Sequence, residues 1–205
     1  MSARLTAALV AEKAAGSGAG GGASGGGGGL RLEFKGLGLT AIAPDAFASA
    51  AVARLDLSEN RLTSIAGVEV AKATLRHLTV RGNALKDLLA CRSLAAITVL
   101  DLGGNAVTSF GPLTGLAHLS AVIANDNDVA ALEEGVFAGC PALNTLVLSR
   151  NSLAGGSDAL PRAVFAGQAL SLIKLNLSHN ELTDGALEAL RPLQVCVRPS
   201  SYIHP

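Results

Sequence analysis

VARLDLSEN (52–60) recurs along the chain as LRHLTVRGN (75–83), ITVLDLGGN (97–105), LSAVIANDN (119–127), LNTLVLSRN (143–151) and LIKLNLSHN (172–180). The closing asparagines Asn60, Asn83, Asn105, Asn127, Asn151 and Asn180 are spaced by 23, 22, 22, 24 and 29 residues. Within each copy the first, fourth and sixth positions are apolar, as in Val52, Leu55 and Leu57. The fourth and sixth alternate with outward residues at period two, which puts them on one face of a short strand. One such strand cannot bury that face alone, so neighbouring copies must stack. Position eleven (Leu62, Leu85, Val107, Val129, Leu153, Leu182) is expected to close the core beyond the turn. Each asparagine stands where the chain leaves its strand, and its amide can satisfy backbone groups that the turn strands. A degenerate copy, GLRLEFKGLGL (29–39), precedes the six; Leu32, Phe34 and Leu39 fit positions four, six and eleven, and Leu37 replaces the asparagine. It reads as a capping repeat.

This phrase is similar to the leucine-rich-repeat signature L-x-x-L-x-L-x-x-N-x-L. The resemblance covers about 30–193. It implies an α/β solenoid: a curved, right-handed stack with a parallel sheet on the concave face and an irregular or helical convex face. The 22-residue spacings resemble the intracellular phosphatase-regulator-like and dynein-light-chain-like subclass. Phe47, Phe137 and Phe165 before the next strand resemble the "typical" subclass of receptors. LNLSHNELTDGALEAL (175–190) resembles the longer ribonuclease-inhibitor-like repeat. The scaffold serves many tasks, so the resemblance implies recognition of a protein partner without naming it.

Charge narrows the partner class. Lys plus Arg and Asp plus Glu both number 16, which argues against a general nucleic-acid or anionic-membrane binder. Trp is absent and no apolar run approaches a membrane span. Cys91, Cys140 and Cys196 follow no pattern, and a reducing compartment is the simpler reading. The expectation is a monomer of the cytoplasm, nucleus or cilium. LTAALVA (5–11) is a poor secretion signal, because Glu12 and Lys13 follow at once.

Four segments are expected. Residues 1–15 form a short helix uncoupled from the array. Residues 16–29, holding 10 of the 24 glycines, form a flexible linker. Residues 30–193 form the solenoid, with strands near 31–34, 54–57, 77–80, 99–102, 121–124, 145–148 and 174–177. Residues 194–205 form an extended or disordered tail. On the convex side, Asp158 is expected to cap a helix over 159–166 and Asp184 one over 185–191, stopped by Pro192.

No catalytic constellation, metal site or cofactor site is expected. The G-x-G-x-x-G match at Gly16, Gly18 and Gly21 lies in a glycine run with no strand before it. Gly36, Gly38 and Ala41 follow a strand, but Pro44 cuts short the helix that a dinucleotide site needs. His77 and His179 lie four copies apart and cannot share an ion. Ser178 and His179 are neighbours on a strand edge and point apart. Glu133 and Glu134 read as solvated charges. The sequon at Asn176 arises from the repeat phrase itself.

Surface recognition remains. The outward positions three, five, seven and eight line the inner curve. Val99, Ile123 and Val147 are expected to form an apolar centre facing solvent. Arg54, Asp56 and Arg81 flank it on one side, and Arg150 and Lys174 on the other; His77, Asp101 and Asp126 complete the expected partner-binding set. An apolar centre with a charged rim is the anatomy of a protein-binding patch. Two other readings stay open: a receptor-like extracellular fragment, and the substrate-recognition part of a larger enzyme-associated protein.

Overall fold

The computed structural model describes residues 3–16 and 29–193. In chain order the elements are β1 (Ala3–Leu5), α1 (Ala7–Gly16), β2 (Leu30–Glu33), β3 (Leu39–Ile42), β4 (Val52–Asp56), β5 (His77–Thr79), β6 (Val99–Asp101), β7 (Ala121–Ile123), β8 (Thr145–Val147), β9 (Ala154–Gly155), β10 (Lys174–Asn176), β11 (Glu181–Leu182) and α2 (Leu187–Leu190). Strands β2, β4, β5, β6, β7, β8 and β10 form one parallel seven-stranded sheet in that order. Each copy of the phrase supplies one rung, so the molecule is a parallel-sheet solenoid.

The register is that of the repeat. Leu32, Leu55, Leu78, Leu100, Val122, Leu146 and Leu175 lie side by side at position four, all buried. Position six forms a second buried column from Phe34 to Leu177. Position eleven is buried from Leu39 to Leu153, and Leu182 packs half-buried against the end of the core.

The asparagines build the ladder expected of them. Asn105 shows the pattern: its Oδ1 accepts from the Leu85 N–H at 3.0 Å, and its Nδ2 donates to the carbonyls of Val80 at 3.0 Å and Leu102 at 2.8 Å. Every rung from Asn60 to Asn180 repeats these three bonds. Each position-six carbonyl between Leu57 and Leu148 therefore receives two amides, its own rung's and the next rung's. Asn60 also accepts from the Leu37 N–H, so the first rung needs no asparagine of its own.

Position eight carries a constraint that its residue types conceal. Gly36, Glu59, Gly82, Gly104, Asp126, Arg150 and His179 all have positive φ, between 54° and 69°. The chain turns off every strand through a left-handed residue. Glycine takes that conformation freely, and other side chains take it at a cost.

Three expectations fail. Residues 1–15 are not uncoupled: β1 pairs in parallel with β3, and Leu5 and Val10 are buried in the core of the first rung. A three-residue strand with only Leu5 buried was too short a signal to read. The helix over 159–166 does not form. The chain turns through Gly156–Leu160, then makes a 3-10 turn at Ala166–Gln168. Pro161 lacks an N–H, and Leu160, Val164 and Phe165 all reach the core from non-helical backbone. The longer interval also needs Gly156 and Gly185, where a Cβ on the first would stand 3.1 Å from the Cα of the second. Near 185–191 a helical segment exists, with α2 at its centre. Its cap position is Thr183 with no side-chain bond, and not Asp184. Most of the expected linker and the tail at 194–205 lie outside the described residues.

Candidate interaction face

Outward residues of the seven strands form two columns. Position three runs Arg31, Arg54, His77, Val99, Ala121, Thr145, Lys174, and position five runs Glu33, Asp56, Thr79, Asp101, Ile123, Val147, Asn176. The two halves differ. Over β2 to β5 the columns are ionic, and over β6 to β8 they are mostly apolar or neutral.

The apolar centre is contiguous, though not as the sequence suggests. Val99 and Ile123 stand in different columns, and Ala121 joins them: it neighbours Val99 across the ladder, while Ile123 neighbours Val147. Ala121 was absent from the expected set because its small side chain carries no signal alone. All four are half-buried and do not stand fully in solvent. Adjacent rungs about 4.8 Å apart shield one another's β-branched side chains.

The charged residues divide by what already engages them. Arg31 pairs with Glu33 at 2.8 Å, Lys35 with Glu59 at 3.0 Å, and Arg150 loosely with Asp126 at 3.9 Å. Arg54, Arg81 and Lys174 are exposed and make no ion pair among the described residues. Asp56 and Asp101 have a structural task besides: their Oδ1 atoms accept the N–H of Ser58 at 2.8 Å and Gly103 at 3.0 Å. Asn176 does the same for Ser178. These side chains brace the turn after the strand.

Over the ionic half lies a shallow depression of about 330 Å³, bounded by Arg31, Arg54, Asp56, His77, Thr79 and Val99. Burial, and then the Arg54 guanidinium, lower the proton affinity of His77 below the ordinary imidazole range. His77 therefore enters this surface as a neutral donor and acceptor at pH 7.

Among the described residues no group of three or more His, Cys, Asp or Glu side chains is placed to hold a metal ion. Burial pushes the Cys91 thiol up to about 12, and it also raises that of Cys140. Burial thus favours the protonated thiol, the less nucleophilic form, at both positions.

Residues 168–190, which include the last asparagine rung, match the family model described as "Leucine Rich repeat". The chain carries leucine-rich repeats. Curated relatives carry the same repeat across more of it. The leucine-rich-repeat chain is 34% identical over 132 residues to the brassinosteroid LRR receptor kinase BRL3 of Oryza sativa subsp. japonica, covering 60% of this chain and 10% of the relative. It is 29% identical over 136 residues to keratocan of Danio rerio, covering 64% of this chain and 38% of keratocan. It thus spans a minor part of each. Among solved structures, the octameric complex of latrophilin 3, Unc5D and FLRT2 superimposes with a TM-score of 0.60 over 78% of this chain and 49% of that one, at 24% identity. That likeness confirms the fold.

Proposed function

We propose that this chain is a non-catalytic protein-interaction module whose concave face holds a partner. One observation carries the reading: the contiguous patch of Val99, Ala121, Ile123 and Val147 lies between uncommitted cations, Arg54 and Arg81 towards one end and Lys174 towards the other. A desolvated apolar centre inside a charged rim favours affinity from the first and orientation from the second. Seven strands at about 4.8 Å span roughly 29 Å, which accommodates an ordinary interface of about 800 Å² per partner.

Asp in place of Ile123 puts a carboxylate at the middle of the patch, on an outward position where the core is untouched. Affinity capture followed by mass spectrometry, run beside a circular-dichroism melt, tests the reading. The expected outcome is an unchanged melt and loss of the partners captured by the parent chain. Identical partner sets would place the binding site elsewhere.

The buried, free Cys91 and Cys140 support a reducing compartment, cytoplasmic, nuclear or ciliary. The relation to a receptor kinase and to keratocan favours a second reading, a receptor-like chain outside the cell. Antibody access to a tagged chain in unpermeabilised cells separates the two.

A further inference from the structure

A second recognition surface lies on the flank of the solenoid, where the chain enters its strands. The segments leading into β5, β6 and β7 stack there as rungs of their own. The middle rung contributes Ala95, Ala96 and Thr98, all small, and this leaves a dent of about 330 Å³. Lys72, Ala73 and Arg76 border it from the β5 rung, and His118 from the β7 rung, two strands and therefore about 10 Å away. Lys72, Arg76 and His118 are exposed, and none makes an ion pair among the described residues. No carboxylate lines the dent.

Local structure holds the cationic rim in place. The Arg76 Nη1 donates to the Ala73 carbonyl at 3.3 Å, which draws the guanidinium over its own loop. The Thr98 hydroxyl donates to the Arg76 carbonyl at 2.8 Å, so it is occupied and the rim's free donors are the cationic groups. On a chain with equal numbers of acidic and basic residues, Lys72 and Arg76 beside a floor of alanines are a local and not a general positive field.

We propose that this dent receives a carboxylate-rich segment of a protein partner. The alanine floor admits acidic side chains between Lys72 and Arg76 on one side and the His118 imidazole on the other, and the forked Arg76 guanidinium matches a carboxylate. A nucleic acid would require a longer basic track and aromatic platforms, and the lining has neither. A lipid surface would require apolar side chains for insertion, and the floor offers only methyl groups. Arg76 directly precedes His77 of β5, so the flank adjoins the concave face without depending on it.

The probe is a labelled peptide of alternating glutamate and glycine, titrated against the full chain by fluorescence anisotropy. Its controls are the glutamine counterpart, a phosphoserine counterpart and vesicles containing anionic lipid. The glutamate peptide binds, the double variant Lys72→Gln with Arg76→Gln weakens it about tenfold or more, and Arg54→Gln on the concave face leaves it unchanged. Raising the salt concentration weakens binding of the parent chain. Equal affinity for the glutamine peptide, or full affinity in the double variant with its melt preserved, overturns the proposal. Loss in Arg54→Gln with retention in the double variant also overturns it, by moving the acidic site to the concave face. Binding of the phosphoserine peptide or the vesicles alone would assign the dent to another ligand.

Discussion

The asparagine of each of the six rungs from Asn60 to Asn180 joins one acceptor and two donors in a single short side chain. Its carbonyl oxygen accepts from the rung before, and its two amide hydrogens reach the carbonyls of both rungs. Asn105→Ala strands the Leu85 N–H and removes one amide from each of the Val80 and Leu102 carbonyls. Urea unfolding is expected to show a loss of roughly 1–3 kcal/mol. Asn105→Asp is expected to lose stability too, because a carboxylate accepts from Leu85 and donates to neither carbonyl. A second residue-level test concerns His77. Its folded proton affinity lies below the ordinary value of about 6.5, with burial the first cause and Arg54 the second. The unfolded chain therefore binds the proton more readily than the folded one. This contribution makes stability fall as pH drops through 6.5, and the fall levels off below the folded value. NMR titration of Arg54→Gln is expected to move the His77 midpoint upward, towards the unfolded value. An unmoved midpoint would leave burial as the whole cause.

At the scale of elements, the short rungs are held by what fills the convex side. Phe137 sits between two other rings, stacked on Phe165 with centroids 6.3 Å apart and tilted against Phe110 at 6.5 Å. Its carbonyl also accepts from the buried Gln168 Nε2 at 2.9 Å. Phe137→Ala removes the middle ring of this row and is expected to cost about 3–5 kcal/mol in denaturant unfolding. The strands were legible in the sequence because each is a period-two pattern repeated in register, so every copy corrects the reading of the others. The convex segments were not, because each occurs once. The interval before β10 looked helical from Asp158 to Ala166, yet Pro161 and the inward pull of Leu160, Val164 and Phe165 select a chain of turns. The candidate face was legible as columns, since Arg54, His77, Ile123 and Val147 follow from register alone. That Asp56 and Asp101 also brace their turns, and that Ala121 completes the apolar patch, required the geometry. The cationic flank was missed for a simpler reason. Lys72, Arg76 and His118 occupy unlike positions before their strands, so no column of the repeat brings them together.

For the whole molecule, a stack of rungs is as stable as its intrinsic rungs plus the contacts between neighbours, and its end rungs have a neighbour on one side only. The first rung solves this with a segment from outside the repeat. β1 pairs with β3, the Ala43 N–H donates to the Leu5 carbonyl at 2.8 Å, and the side chains of Leu5 and Val10 join the core that contains Leu32 and Phe34. Residues 17–28, the glycine-rich stretch between this segment and β2, lie outside the described residues. The two features make distinct predictions. Shortening the glycine stretch by a few residues is expected to leave the melt nearly unchanged, because loop-closure entropy varies slowly with length. Deleting residues 1–16 removes the cover of the first rung. Its melting temperature is expected to fall, and hydrogen exchange to rise first in β2, β3 and β4, while the rungs from β6 onward keep their protection. Exchange rising uniformly along the array would mean that the rungs melt as one unit. Exchange unchanged in β2 to β4 would mean that the segment lies on the solenoid without stabilising it.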